Sequence, residues 1–273
     1  MHPTVKITSR WSLRLILMLA TLLSGPLFMA ACSGLNASQD WHTADRSSSG
    51  LAPTPQQAPE AIVQVYAARA FSWRGYFAVH TWIATKAANA DTYEVHEVMG
   101  WRRDKVRTGP GLPDRAWYGN EPTLLADIRG PAADRLIPAI KDAVARYPYR
   151  YEYDAWPGPN SNTFTAWVIR AVPGLDVALP NIAVGKDYLE APFVAETPSD
   201  SGFQVSAFGY AGVLASLREG LEINLLGLSF GLDPLALGIK LPGIGQIGLL
   251  DPWQPDSDSL DDGQEIVQPS PQA

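Results

Sequence analysis

The sequence of 273 residues holds a single cysteine, Cys32. That count excludes an intramolecular disulfide, a thiolate metal centre and a cysteine nucleophile anywhere but position 32. Histidine is nearly as scarce. Of four, His2 and His42 precede the body of the chain, which leaves His80 and His96. Two histidines without a close His/Asp/Glu cluster lack the spacing of a metal site, so no metal and no cofactor is expected. The chain is also short of positive charge, with 21 Lys and Arg against 28 Asp and Glu, and gathers it into no stripe. An acidic surface repels phosphate backbones, which argues against a nucleic-acid partner.

What charge the N-terminus carries is positive. Lys6, Arg10 and Arg14 lead into an almost wholly apolar run, Leu15 to Ala31, that ends at Ala30-Ala31-Cys32-Ser33-Gly34. A basic start, an apolar centre and small residues before a cut make the layout of a secretory signal. The cut site resembles a lipobox, with Met29 where leucine is usual, and Cys32 then supplies the thiol that bacterial lipoprotein processing acylates, for instance with palmitate. The alternative is an uncleaved anchor, for which about 20 apolar residues are needed and which Gly25-Pro26 would interrupt. Residues 1–31 are therefore expected as a lipoprotein signal peptide, and the protein as anchored in the bacterial cell envelope facing the periplasm. Ser33 behind the cysteine resembles the pattern sorted to the outer membrane. Processing removes three basic residues and no acidic one, so the net charge moves from −7 to −10.

Gly34 to Glu60 is rich in Ser, Pro, Gln and Ala without an apolar period, so residues 32–60 are expected as a flexible tether. Residues 251–273 are acidic and almost free of apolar groups, which predicts a disordered tail. Between them, 61–250 suffices for one α+β domain with one core. Ala61 to Arg69, Phe77 to Thr85 and Tyr93 to Trp101 alternate as strands, and Leu124 to Ile128 is a fourth candidate. In the second, Phe77, Val79, Thr81 and Ile83 share one face while Ala78, His80 and Trp82 share the other. A helix follows from Gly130 to Arg146, with Pro131 in its first turn. The fold expected is an antiparallel sheet with two packed helices, extended over 203–250 by a glycine-punctuated β-meander. In that extension Leu221 to Phe230 carries large apolar groups on both faces, as a strand buried on both sides would. Either the meander packs on the main sheet and completes the core, or it offers a greasy surface to a bilayer. Glu219, Glu222, Asp233 and Lys240, read as markers of turns and solvent edges, favour the first.

Chemistry concentrates in Trp156 to Arg170. Pro157-Gly158-Pro159 sets a turn, and the stripe Phe164, Trp167, Val168, Ala171 starts a helix near Asn162. Asn160 and Ser161 thus fall at a helix N-terminus, where free N–H groups favour an anion or an oxyanion. Ser161 as a plain helix cap is the simpler reading. Trp73, Trp82, Trp101, Trp117, Trp156 and Trp167 read as core or groove.

Asn160-Ser161-Asn162-Thr163-Phe164 resembles the Asn-Cys-Asn-x-Phe motif of circularly permuted papain-like proteins, such as the lecithin retinol acyltransferase-like hydrolases. That resemblance implies Ser161 as nucleophile in place of cysteine, His80 as base, and His96, or Glu94 or Glu97, as the group that orients the imidazole. More closely, Tyr66-Ala-Ala-Arg69, Ala78-Val-His-Thr-Trp82 and Gly158 to Phe164 look like the bacterial family termed domain of unknown function 3750, over most of 60–250. That family brings no known activity. Two functions are expected from these resemblances. One is an envelope hydrolase or acyltransferase acting on amide or ester bonds of peptidoglycan or lipid. The other is an inactive papain-like module binding peptide or glycan through Asn160, Asn162, Trp82 and Trp156. A purely structural lipoprotein is the third reading.

Overall fold

The computed structural model describes residues 3–35 and 40–250, with side chains from residue 10 onward. The expected acidic tail, 251–273, lies outside the described residues. Among the described residues the fold is α+β, with two antiparallel sheets and three α-helices.

Helix α1, Pro3–Cys32, runs through Pro26, so the Gly25-Pro26 pair does not end it. Among the described residues it is the one helix long and apolar enough to cross a membrane, over Arg10–Cys32. A mostly exposed apolar helix near the N-terminus is compatible with a signal sequence or a membrane anchor.

The first sheet comprises β1 (Ile62–Arg69), β2 (Val79–Lys86), β3 (Glu94–Val98), β4 (Val106–Pro110) and β5 (Pro122–Arg129), in the order β4-β3-β2-β1-β5. β1, paired between β2 and β5, is buried along nearly its whole length, as its run of apolar residues requires. One face packs under α2 (Gly130–Arg146) and α3 (Ser161–Ala171), where Val63, Val65 and Ile83 meet Ile140, Val144 and Phe164. The other face holds Tyr66, Trp82, Tyr93 and Val95.

That second face is covered by loops. The Trp82 indole donates to Pro113 O at 2.7 Å, and Tyr93 OH donates to Pro53 O at 2.9 Å. Asp114, 1% exposed, accepts from Ser48 Oγ at 2.8 Å, Leu51 N at 2.8 Å and Ala52 N at 3.2 Å. The segment expected as a free tether is therefore pinned to the body, by Asp45 O and Ser47 O accepting from Gly119 N and Ala116 N at 2.9 and 2.8 Å and, from Ser48 onward, by Asp114. Contacts to backbone groups and to one buried carboxylate leave no periodic trace in the tether's own sequence.

The second sheet is a plain meander of seven strands: β6 (Val194–Glu196), β7 (Gly202–Ala207), β8 (Ala211–Ser216), β9 (Gly220–Leu225), β10 (Leu228–Asp233), β11 (Gly238–Leu241) and β12 (Gly245–Ile247). Leu221 to Phe230 is not one strand. It is a hairpin turning at Leu226 and Gly227, whose φ values are 54° and 77°. The turn resets the alternation, which is why both faces looked apolar when the segment was read straight through. A second expectation fails with it. Glu219, Glu222, Asp233 and Lys240 are all buried, at 1%, 1%, 5% and 5% exposure. Glu222 pairs with the buried Lys186 and with Lys240, Glu219 accepts from Ser199 and Ser216, and Asp233 accepts from Leu235 N and Ala236 N.

Candidate functional site

The turn into α3 carries cis peptide bonds before Pro157 and Pro159. Asn160 then caps the helix: its Oδ1 accepts from Asn162 N at 2.9 Å and Thr163 N at 3.2 Å. Thr163 Oγ1 returns the contact by accepting from Asn160 N at 3.1 Å, completing a capping box. Asn160 Nδ2 donates to Val184 O at 3.0 Å. Asn162 Nδ2 donates to Val79 O at 2.9 Å and Val184 O at 2.8 Å, and its Oδ1 accepts from Thr81 Oγ1 at 3.0 Å. Both asparagines, expected as ligand contacts, are thus engaged in riveting α3 to β2 and to the 181–188 loop. Ser161 is the first residue of the helix and 5% exposed, and it lines a cavity.

His80 lies across the sheet from that helix. Thr81 reaches α3, so strand alternation turns His80 to the opposite face, beside Trp82. Its ring stacks on Trp117, with centroids 3.5 Å apart and planes 10° from parallel. Its Nε2 lies 3.3 Å from Glu97 Oε2. Among the described residues no hydrogen bond joins His80 to Ser161.

Of the three residues named as candidates to orient the imidazole, Glu97 is the one whose carboxylate meets His80, and it is fully buried. Arg107 Nη1 sits 2.9 Å from its Oε1 and Arg115 Nη2 2.6 Å from its Oε2. Burial pushes the Glu97 carboxyl up, but the His80 hydrogen bond and the charges of Arg115, His80 and Arg107 outweigh it and hold it below its ordinary value. Burial dominates for His80, whose pKa is lowered despite Glu97. Nothing at the sequence level marks Arg107 and Arg115 as partners of Glu97. They come from a strand and a loop beyond the residues that suggested a site.

His96 does not orient His80. One residue from Glu97 on β3, it faces the helix side, with Nε2 2.9 Å from Thr85 Oγ1 and Nδ1 3.2 Å from Thr108 Oγ1. Burial lowers its pKa to about 4 from 6.5. The unfolded chain therefore binds the proton first as pH falls. Stability that is full above about pH 6.5 should be lost progressively towards pH 4, by about 3 kcal/mol from this group. Urea midpoints measured across that range should decline steeply in the wild type and flatten in His96→Gln.

The cavity has a volume of about 680 Å³ and is walled mainly by rings, among them Phe71, Trp73, Trp101, Trp117, Tyr153 and Trp156. His80 and Ser161 both line it. Trp156 forms part of this wall, with its indole donating to Leu226 O at 2.8 Å. Trp82, expected beside it, is wholly buried and belongs to the core. Phe77 and Trp156 continue the wall onto Val184, Leu228 and Leu22 of α1. Among the described residues no group of three His, Cys, Asp or Glu is placed to hold a metal ion.

Residues 60–188 match the family described as a protein of unknown function (DUF3750). The match takes in the first sheet, both of its helices and the loop after α3, and stops before the meander that had been expected within it. No curated protein and no solved structure matches the chain. The papain-like resemblance rests on its short motifs alone.

Proposed function

We propose that this is a lipoprotein of the bacterial envelope, acylated at Cys32 and held at a membrane, whose aromatic cavity binds the apolar part of a lipid. The observation that carries the reading is the wall of that cavity. Its size suits a small ligand, and its rings give an apolar body a large contact area. Its polar floor offers little for a glycan, because Asn160 and Asn162 are already saturated by the fold. The apolar wall runs on to Leu22, 2% exposed in the unprocessed chain. Cleavage before Cys32 uncovers that stretch of wall next to a membrane. Ser33 supports the outer membrane as the destination.

Hydrolysis is the less supported use of the same site. A serine hydroxyl needs an aligned base, and His80 is turned to the other face with its Nε2 on Glu97. Two measurements separate the readings. After exchange into lipid-free detergent the full chain should retain about one lipid molecule, recovered by solvent extraction; its absence would remove the binding reading. A serine-directed fluorophosphonate should leave Ser161 unlabelled. A label lost in Ser161→Ala would restore the hydrolase.

A further inference from the structure

The meander is built inside out. Its residues alternate as in any half-buried sheet, but the polar set points in. One inward row runs Gln204, Leu214, Glu222, Gly231, Lys240 and Gln246 across six paired strands. Gly231 has no side chain where Glu222 and Lys240 meet over it, with Lys240 Nζ 2.7 Å from Glu222 Oε1. A Cβ there would stand 3.1 Å from Glu222 Cγ and 3.2 Å from Lys240 Cδ. The outward row next to it runs Phe203, Ala215, Leu221, Leu232, Ile239 and Ile247. All six are exposed. Val194, Val205, Val213 and Ile223 form a parallel row, also exposed. Between residues 201 and 250 the one charged side chain that is exposed is Arg218, in the turn after β8.

We infer that this outer face of the second sheet rests on the lipid bilayer to which the N-terminus is attached. An aliphatic face several strands wide, with its charges folded away behind it, is stable against hydrocarbon and costly against water. The strands have three to six residues, whereas a spanning strand needs about 9–11. The sheet therefore lies in one leaflet. Attachment keeps it there: Ser48 is fixed to Asp114, so at most 16 residues, about 55 Å of extended chain, separate the body from Cys32. In the unprocessed chain α1 itself lies against this sheet, Leu22 packing on Leu228. The inference rests on the membrane attachment proposed above but not on what the cavity binds.

The test uses the full chain with a genetically encoded solvatochromic amino acid at Ile223 or, in a second variant, at Leu232. A control carries it at Asp134 on α2. Each protein is reconstituted into vesicles of phosphatidylethanolamine and phosphatidylglycerol and separated by flotation, which reads attachment by itself. In floated protein, iodide quenching at 223 and 232 should be about threefold or more below that at 134, with a blue-shifted emission. Equal quenching at all three positions in floated protein overturns the inference. So does protection that disappears at one protein per vesicle, which would mean that a second copy covers the face. Failure to float would instead strike at the attachment.

Discussion

Glu222→Leu is expected to destabilise the protein by about 3–5 kcal/mol, because it leaves two buried ammonium groups without their shared counter-ion. Lys186 Nζ lies 2.8 Å from Glu222 Oε2 and Lys240 Nζ 2.7 Å from Oε1, and both lysines are almost fully buried. Burial alone lowers the Lys186 pKa, but Asp187 and Glu222 outweigh it and raise it. The inner side of the meander is thus held by ions where most sheets use aliphatic packing. Lys240→Met keeps Glu222 paired with Lys186 and should cost only about 1–2 kcal/mol. Urea unfolding followed by circular dichroism checks both values. A small effect of Glu222→Leu would mean that water reaches this layer.

The second large effect concerns the cavity. Trp117 is 5% exposed and stacks on His80, 3.5 Å between centroids, while Trp101 is 65% exposed at the rim. Trp117→Ala should lose about 3–5 kcal/mol of stability and weaken lipid retention with it. Trp101→Ala removes a largely exposed ring whose aromatic neighbours are Trp117 and Tyr118, so its stability should shift by less than about 1 kcal/mol. Its lipid affinity should still fall about tenfold, as for an aromatic anchor of a binding site. Thermal melts and lipid titrations on the two variants separate the fold from the site. Equal lipid affinity in Trp101→Ala and wild type would move the ligand elsewhere.

Much of the first sheet was legible. The alternation in β2 assigned Val79, Thr81 and Ile83 to one face and His80 and Trp82 to the other, as found. What the alternation could not say was which face α3 covers, and that choice separates His80 from Ser161. Asn160 to Phe164 was legible as a helix start. Its asparagines were read as ligand contacts because their partners, Val79, Thr81 and Val184, are distant in sequence. Glu222 was misread, and the burial of Glu97 missed, for one reason. A charge in an alternating strand usually marks the outer face, and the partners that overturn this, Arg107, Arg115, Lys186 and Lys240, lie ten or more residues away. Asp114, which pins the tether, carries no local signal at all.

The central claim is that the aromatic cavity holds a lipid chain, and photo-crosslinking tests it most directly. The full chain is reconstituted with a phospholipid whose acyl tail carries a diazirine, irradiated, and mapped by peptide mass spectrometry. Adducts on peptides containing Trp101, Trp117 and Trp156, diminished in Trp101→Ala, are the predicted result. Adducts confined to the N-terminal segment and the outer face of the meander, with the cavity peptides unmodified, would contradict it.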